Sequence, residues 1–102
     1  MRILIICSSG MSSSVLVTNM QDAAIEMNML VEIEALGRDE FSQISTAYDV
    51  ILLAPQIRYQ KERFEKMTHH EIPITIIDSV AYGMLDGQKV LQQAIDVIKN
   101  KN

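Results

Sequence analysis

Cys7 is the sole cysteine of the chain, and it stands where an aliphatic run gives way to small residues. The segment reads Arg2-Ile3-Leu4-Ile5-Ile6-Cys7-Ser8-Ser9-Gly10-Met11-Ser12-Ser13-Ser14-Val15-Leu16-Val17. That pattern predicts a buried strand, a Ser/Gly loop and then a helix. A thiol at the lip of such a loop faces main-chain N–H groups and the positive end of a helix. Both favour an anion, whether a thiolate or a bound phosphate. Gly10 lets the backbone take a positive φ and approach a ligand closely. The amides from Ser8 to Ser14, with Gly10 and Met11 among them, are candidate donors to phosphoryl oxygens, and the hydroxyls of Ser8, Ser9, Ser12, Ser13 and Ser14 add to them. The plainer reading is a small buried hydrophobe followed by a helix cap.

Two other uses of a strand–Cys–loop–helix unit can be tested on the residues. A phosphatase of the C-x5-R type needs an arginine six positions after the nucleophile to clamp the phosphoryl oxygens. That position is Ser13, and no arginine lies between Arg2 and Arg38. A thiol oxidoreductase needs a resolving cysteine, which this sequence lacks. What remains is a thiol that accepts a phosphoryl group and passes it on. The missing arginine suits that task, because a carrier must not lose its cargo to water.

The elements that must position the thiol follow from periodicity. Apolar runs at residues 3–6, 31–36, 50–54 and 74–77 read as strands buried in a parallel sheet. Between them lie helical patterns. Val15, Leu16, Met20, Ala23 and Met27 share a face of a helix expected over 13–28. Asp39 can cap a short helix over 40–46. Ile57, Gln60, Phe64 and Met67 mark a third helix. Val90, Leu91, Ala94, Ile95 and Ile98 mark a fourth, with Asp86 as its N-cap. The order βαβαβαβα gives a small four-stranded parallel sheet with helices on both faces, an α/β fold in one domain over residues 1–102. Ligands of such sheets bind beyond the carboxyl ends of the strands. Cys7, Pro55 and Asp78 each follow a strand and should gather there.

Composition sets the remaining bounds. Hydrophobic residues make up 48% of the chain, enough for a core, and a net charge of -4 argues against a nucleic-acid surface. The aliphatic run at 3–6 is too short for a signal sequence or a membrane span. A cytoplasmic protein that reaches the membrane only through a partner is the expectation. The chemistry calls for no cofactor and no metal. His69 and His70 sit at a helix end and point in different directions, and they are read as cations suited to that position. Glu32 and Glu34 are read as solvated or covered by a helix rim.

The residues also carry a resemblance. The segment from Cys7 to Val17 resembles the phosphorylation-site loop of the IIB components of bacterial sugar phosphotransferase systems, in the lactose/cellobiose/chitobiose class, where C-x-x-G-M-S-[ST]-S precedes an apolar helix. Leu52-Leu53-Ala54-Pro55-Gln56-Ile57-Arg58-Tyr59 is similar to that family's G-P-Q-[IV]-x-Y segment. Ile77-Asp78-Ser79-Val80-Ala81-Tyr82-Gly83-Met84-Leu85-Asp86-Gly87 is similar to its I-D-x-x-x-Y-G-x-x-D-G stretch. Ala54 replaces the more usual Gly, and Ser13 stands where Thr is common.

The resemblance implies the same four-stranded fold, of flavodoxin-like or low-molecular-weight-phosphatase-like type. It also implies a reaction: a phosphohistidine on a IIA partner donates to Cys7, and the phosphocysteine donates to a sugar held by a membrane IIC partner. A chain of this size sides with cellobiose or chitobiose over lactose. Pro55, Gln56, Tyr59, Asp78 and Tyr82 become supporting candidates. For Asp78 the choice lies between a general acid or base and an N-cap on the amides of Val80 or Ala81. The cap is favoured because a thiolate leaving group needs no proton. Met11, Ile57 and Val80 are expected to form an apolar apron that both partners share. A monomer is expected. The alternatives are a Cys-dependent low-molecular-weight phosphatase and a regulatory module that binds partners according to its phosphorylation.

Overall fold

Unbroken aliphatic runs make strands covered on both faces. Residues Ile3 to Cys7 of β1 (Arg2–Cys7) and all of β3 (Val50–Leu53) are fully buried. β2 (Glu32–Gly37) and β4 (Ile74–Ile76) lie outside them, in the order β2-β1-β3-β4 with every pair parallel. The computed structural model describes residues 1–8, 10–37 and 47–100, and for residues 10–13 the backbone alone. The short helix expected over 40–46, with its cap Asp39, lies outside the described residues.

The helices depart from expectation in informative ways. α1 (Gly10–Glu26) begins three residues before the expected start at 13. It buries Leu16, Met20, Ala23 and Ala24, an i, i+4, i+7, i+8 stripe, whereas Val15 and Met27, expected on that face, are exposed. The expected third helix is split. A 3-10 turn (Pro55–Gln60), with Ile57 in a non-helical conformation, leads into α2 (Lys61–Met67), and Ile57 and Phe64 are buried. Beyond α2, His69 and His70 adopt left-handed φ values of 54° and 58° and donate their amides to Lys66 O and Glu65 O, so they end the helix. A short α3 (Ser79–Gly83) precedes α4 (Gly87–Asn100). Asp86 caps α4 as expected, its Oδ1 accepting from the Lys89 amide at 3.2 Å.

The β1–α1–β2 and β3–α2–β4 crossovers run in opposite directions along the sheet. Right-handed connections therefore put α1 and α2 on opposite faces. α4 returns to pack on α1, and the contact is close at Gly87. Beside it, Asn19 Nδ2 donates to Leu85 O at 2.9 Å, holding a residue whose φ is 53°.

The outward carboxylates of β2 are not simply solvated. Arg2 Nε lies 3.1 Å from Glu32 Oε2, and Arg2 Nη2 lies 3.3 Å from Glu34 Oε1. The Tyr48 hydroxyl donates to Glu34, and the Arg2 guanidinium sits 4.8 Å from the Tyr48 ring centroid. The hydrogen bond to Glu34, then burial and the negative charge of Glu34, raise the Tyr48 pKa, and Arg2 opposes them. A folded pKa above the unfolded one stabilises the fold fully below about pH 10, and that stability is lost as pH rises through the folded value. Tyr48→Phe should therefore flatten the alkaline decline in stability. Melting temperatures measured from about pH 9 to about pH 11 check this; an unchanged slope would refute it. The effect is small, because the cluster is at the surface.

Candidate functional site

The register fixes what surrounds the thiol. Cys7 closes β1 opposite Gly37 of β2. On the other side Ile6 pairs with Leu53, and the Ala54 amide donates to Ile6 O at 2.9 Å, so Ala54 is the next residue along beside Cys7. Two residues with little or no side chain thus flank the sulfur in the sheet. The expectation of a thiol at an open lip is corrected: Cys7 is fully buried, and its Sγ donates to Leu36 O at 3.6 Å. The reason is its strand. β1 is interior, and the burial that covers Ile3 to Ile6 extends one residue further, to Cys7.

The loop is also shorter than expected. Only Ser8, which is exposed, and Ser9 separate Cys7 from α1, and Ser9 lies outside the described residues. Gly10, Met11, Ser12 and Ser13 form the first turn of α1, and Ser14 continues it as an exposed residue. The positive φ expected at Gly10 does not occur, because Gly10 is helical and no glycine among the described residues has a positive φ. The main-chain amides next to the sulfur in sequence are therefore those of a helix start rather than of an open loop. The first four N–H groups of an α-helix have no partner within it, so the donors belong to a helix end three residues after the sulfur. The side chains of residues 10–13, including the Met11 part of the expected apron, lie outside the described residues.

The supporting candidates divide. Pro55 opens the 3-10 turn directly after Ala54, as expected of a residue that stops a strand. Gln56 is exposed on that turn. Tyr59 is 69% exposed, and its Oη accepts from Gln60 Nε2 at 3.3 Å. Tyr82 is buried in α3. The apron loses Ile57, which is buried, and keeps Val80, which is exposed. Asp78 follows β4, which is two strands and therefore about 10 Å from β1 across the sheet. Its Oδ2 accepts from the Ala81 amide at 2.9 Å, the cap geometry expected from its place before Ser79. Asp78→Ala should cost about 1 kcal/mol of stability and leave the phosphoryl transfer expected of Cys7 within about twofold. Denaturant melts and transfer rates check the two halves. A large loss of transfer with small loss of stability would return Asp78 to the chemistry.

Sequence reasoning missed Gln93. Its Nε2 donates to Ile76 O at 2.6 Å, and its Oε1 accepts from the Asp78 amide at 3.0 Å, which pins the chain between β4 and α3. A faint signal existed: Gln93 is an amide on the rim of an otherwise aliphatic helix face, between Val90 and Val97. The cleft beside it, about 490 Å³ and lined in part by Thr75, Asp78, Lys89 and Gln93, lies at the β4 edge rather than over β1. Among the described residues no group of histidine, cysteine and carboxylate side chains could hold a metal. Nor is any helix among them long and apolar enough to cross a membrane.

Comparison with known proteins agrees with this arrangement. The family model "PTS system, Lactose/Cellobiose specific IIB subunit" matches residues 2–93. The chain is 38% identical to the oligo-beta-mannoside-specific EIIB component of Bacillus subtilis, over 98% of each chain. It is 36% identical to the cellobiose-specific EIIB component of Lactococcus lactis, over 90% of this chain and 91% of the relative. Among solved structures, the cellobiose-specific phosphotransferase IIB component of Borrelia burgdorferi is similar at 43% identity and a TM-score of 0.79, covering 100% of this chain and 94% of that one. The lactose-specific IIB domain of Streptococcus pneumoniae, at 22% identity, shares the fold with a TM-score of 0.82, over 95% of this chain and 96% of that one. A parallel β2-β1-β3-β4 sheet ending in a lone thiol, matched over nearly its whole length by IIB proteins, belongs to the lactose/cellobiose-specific IIB subunits of the sugar phosphotransferase system.

Proposed function

We propose that Cys7 is the phosphoryl carrier of this IIB component. It accepts phosphate from a phosphohistidine of a IIA partner and passes it to a β-disaccharide of the cellobiose or chitobiose type, bound by a membrane IIC partner. The observation that carries the reading is the placement of Cys7: the last residue of a central strand, flanked by Gly37 and Ala54, with α1 starting at Gly10.

In the first step Cys7 Sγ attacks phosphorus in line with the departing imidazole nitrogen. The S–P bond forms, the N–P bond breaks, and the thiol's proton balances on the imidazole nitrogen. In the second, a sugar hydroxyl attacks the phosphorus. The O–P bond forms, the S–P bond breaks, and the hydroxyl's proton balances on sulfur. The amides at the start of α1 hold the phosphoryl oxygens, each contributing about 1.5–3 kcal/mol as a hydrogen bond to a charged group. The first step requires the sulfur to leave Leu36 O and meet the donor, so the buried thiol is the resting form.

The relatives support a β-linked sugar, though components named for oligo-beta-mannoside, galactose and cellobiose match at 38%, 37% and 36% identity. Such near-equality fits a chain in which the sugar is selected by the membrane partner. The protein works in the cytoplasm and meets the membrane only through IIC.

The experiment is to incubate the protein with phosphoenolpyruvate, the general phosphotransferase proteins and a matching IIA, and to locate the added phosphate by mass spectrometry of the peptide bearing Cys7. Phosphate on Cys7 that moves to sugar when IIC membranes are added is the expected result. A phosphocysteine that never passes to sugar would instead mark a regulatory module. Cys7-dependent turnover of a small aryl phosphate would mark a phosphatase.

A further inference from the structure

A positive face stands on an acidic chain. Residues 55–67 hold four of the nine Lys and Arg but only two of the thirteen Asp and Glu, while the whole chain carries a net charge of -4. Lys61 and Lys66 are paired on α2, 3.9 Å from Glu65 and 3.8 Å from Glu62. Arg58 and Arg63 are exposed, and neither forms an ion pair among the described residues. Arg58 Nη1 makes a long bond to a neutral oxygen, Pro55 O, at 3.5 Å. Arg63 Nη1 donates to Gln60 Oε1 at 3.1 Å, and Gln60 Nε2 donates to Tyr59 Oη at 3.3 Å. That relay steadies a tyrosine that stands well out of the surface. Arginine and tyrosine are the residue types that carry binding energy at protein interfaces, and a side chain already ordered loses less freedom on docking.

Position ties this face to the thiol. The 3-10 turn (Pro55–Gln60) leaves directly from Ala54, the sheet neighbour of Cys7. Adjacent strands lie about 4.8 Å apart, and six residues of 3-10 helix rise about 10 Å. A standard interface covers about 800 Å² per partner, a disc of about 16 Å radius. A protein centred on the tip of β1 therefore covers the turn.

We infer that Arg58, Tyr59 and Arg63 form the docking face for an acidic surface of the IIA phosphoryl donor: the two guanidiniums pair with its carboxylates and draw in its phosphoryl group, and Tyr59 is the anchor. The inference rests on the reading of Cys7 as the carrier. A phosphoryl group adds about −1.5 to −2 charge to its bearer, and the net charge of -4 repels such a protein from the rest of this chain. The arginines admit it. Transfer moves that charge onto Cys7, on the arginines' own side, so the attraction fades and the donor leaves.

Stopped-flow transfer from phosphorylated IIA to the full chain tests this, read as kcat/KM against ionic strength. Arg58→Gln combined with Arg63→Gln should lower kcat/KM about tenfold at about 0.02 M salt and leave kcat within about twofold. The parent's kcat/KM should fall steeply as salt rises to about 0.3 M, and the double variant's should stay nearly flat. Both side chains are exposed, so the circular dichroism spectrum should not change. Lys99→Gln removes an exposed cation from the last turn of α4 and should stay within about twofold of the parent. An equal loss in Lys99→Gln would mark a net-charge effect and overturn the inference. So would a double variant that loads with the parent's kcat/KM and salt dependence, a result the carrier reading would survive. A parent chain that takes no phosphate from the donor would sink the carrier reading itself, and this inference with it.

Discussion

Cys7→Ser should lose phosphoryl acceptance from IIA by roughly a thousandfold or more while keeping its circular dichroism spectrum. Serine preserves the shape and a hydrogen-bond donor toward Leu36 O, which lies 3.6 Å from the sulfur. It does not preserve nucleophilicity. A thiol reaches its reactive anion near neutral pH, whereas an alcohol needs a base to take its proton during attack. The Leu36 carbonyl cannot serve as that base. The substitution also trades a small hydrophobe for a hydroxyl in a fully buried place, so a stability loss of about 1–3 kcal/mol accompanies it. Stopped-flow transfer from phosphorylated IIA, with a denaturant melt beside it, separates the two effects. Transfer within tenfold of the parent would remove Cys7 from the reaction.

The second large effect is structural. Gly87→Ala should destabilise the chain by about 3 kcal/mol, the upper part of the range for overpacked sites, and lower its melting temperature by more than about 10 °C. A Cβ built at Gly87 would lie 2.3 Å from Asn19 C, 2.5 Å from Asn19 O and 2.5 Å from Met20 N. Those are backbone atoms of α1, which can move only if α1 and α4 part. Gly83 gives an internal control, because a Cβ there would meet nothing within 4 Å. Gly83→Ala should therefore leave the melting temperature within about 2 °C, in the range of ordinary surface changes. Equal losses at the two glycines would contradict the close approach.

The contrast between these residues shows what the chain made legible. The strands were readable because an interior parallel strand must be aliphatic throughout, as residues 3–6 and 50–53 are. The caps Asp78 and Asp86 were readable because a cap depends on residues two or three positions away. The start of α1 was misplaced because glycine and serines resemble a turn in sequence yet also populate a first helical turn. The enclosure of Cys7 depends on Leu36, 29 residues away, and no local pattern carries that neighbour. Gln93 reaches back 17 residues to Ile76, so its place on a helix rim hinted at a role but could not name the partner. Gly87 belonged to a recognisable D-G stretch, but its steric role follows only from its contact with Asn19.

The seat of the sulfur constrains the traffic through it. β1 has a neighbouring strand on either flank and is buried from Ile3 onward, which leaves the tip of the strand as the way in. On the proposed function, donor and recipient proteins would have to use that one doorway and could not stand in it together. A phosphoryl carrier built this way would be a shuttle rather than a bridge, each delivery ending with a departure before the next loading begins.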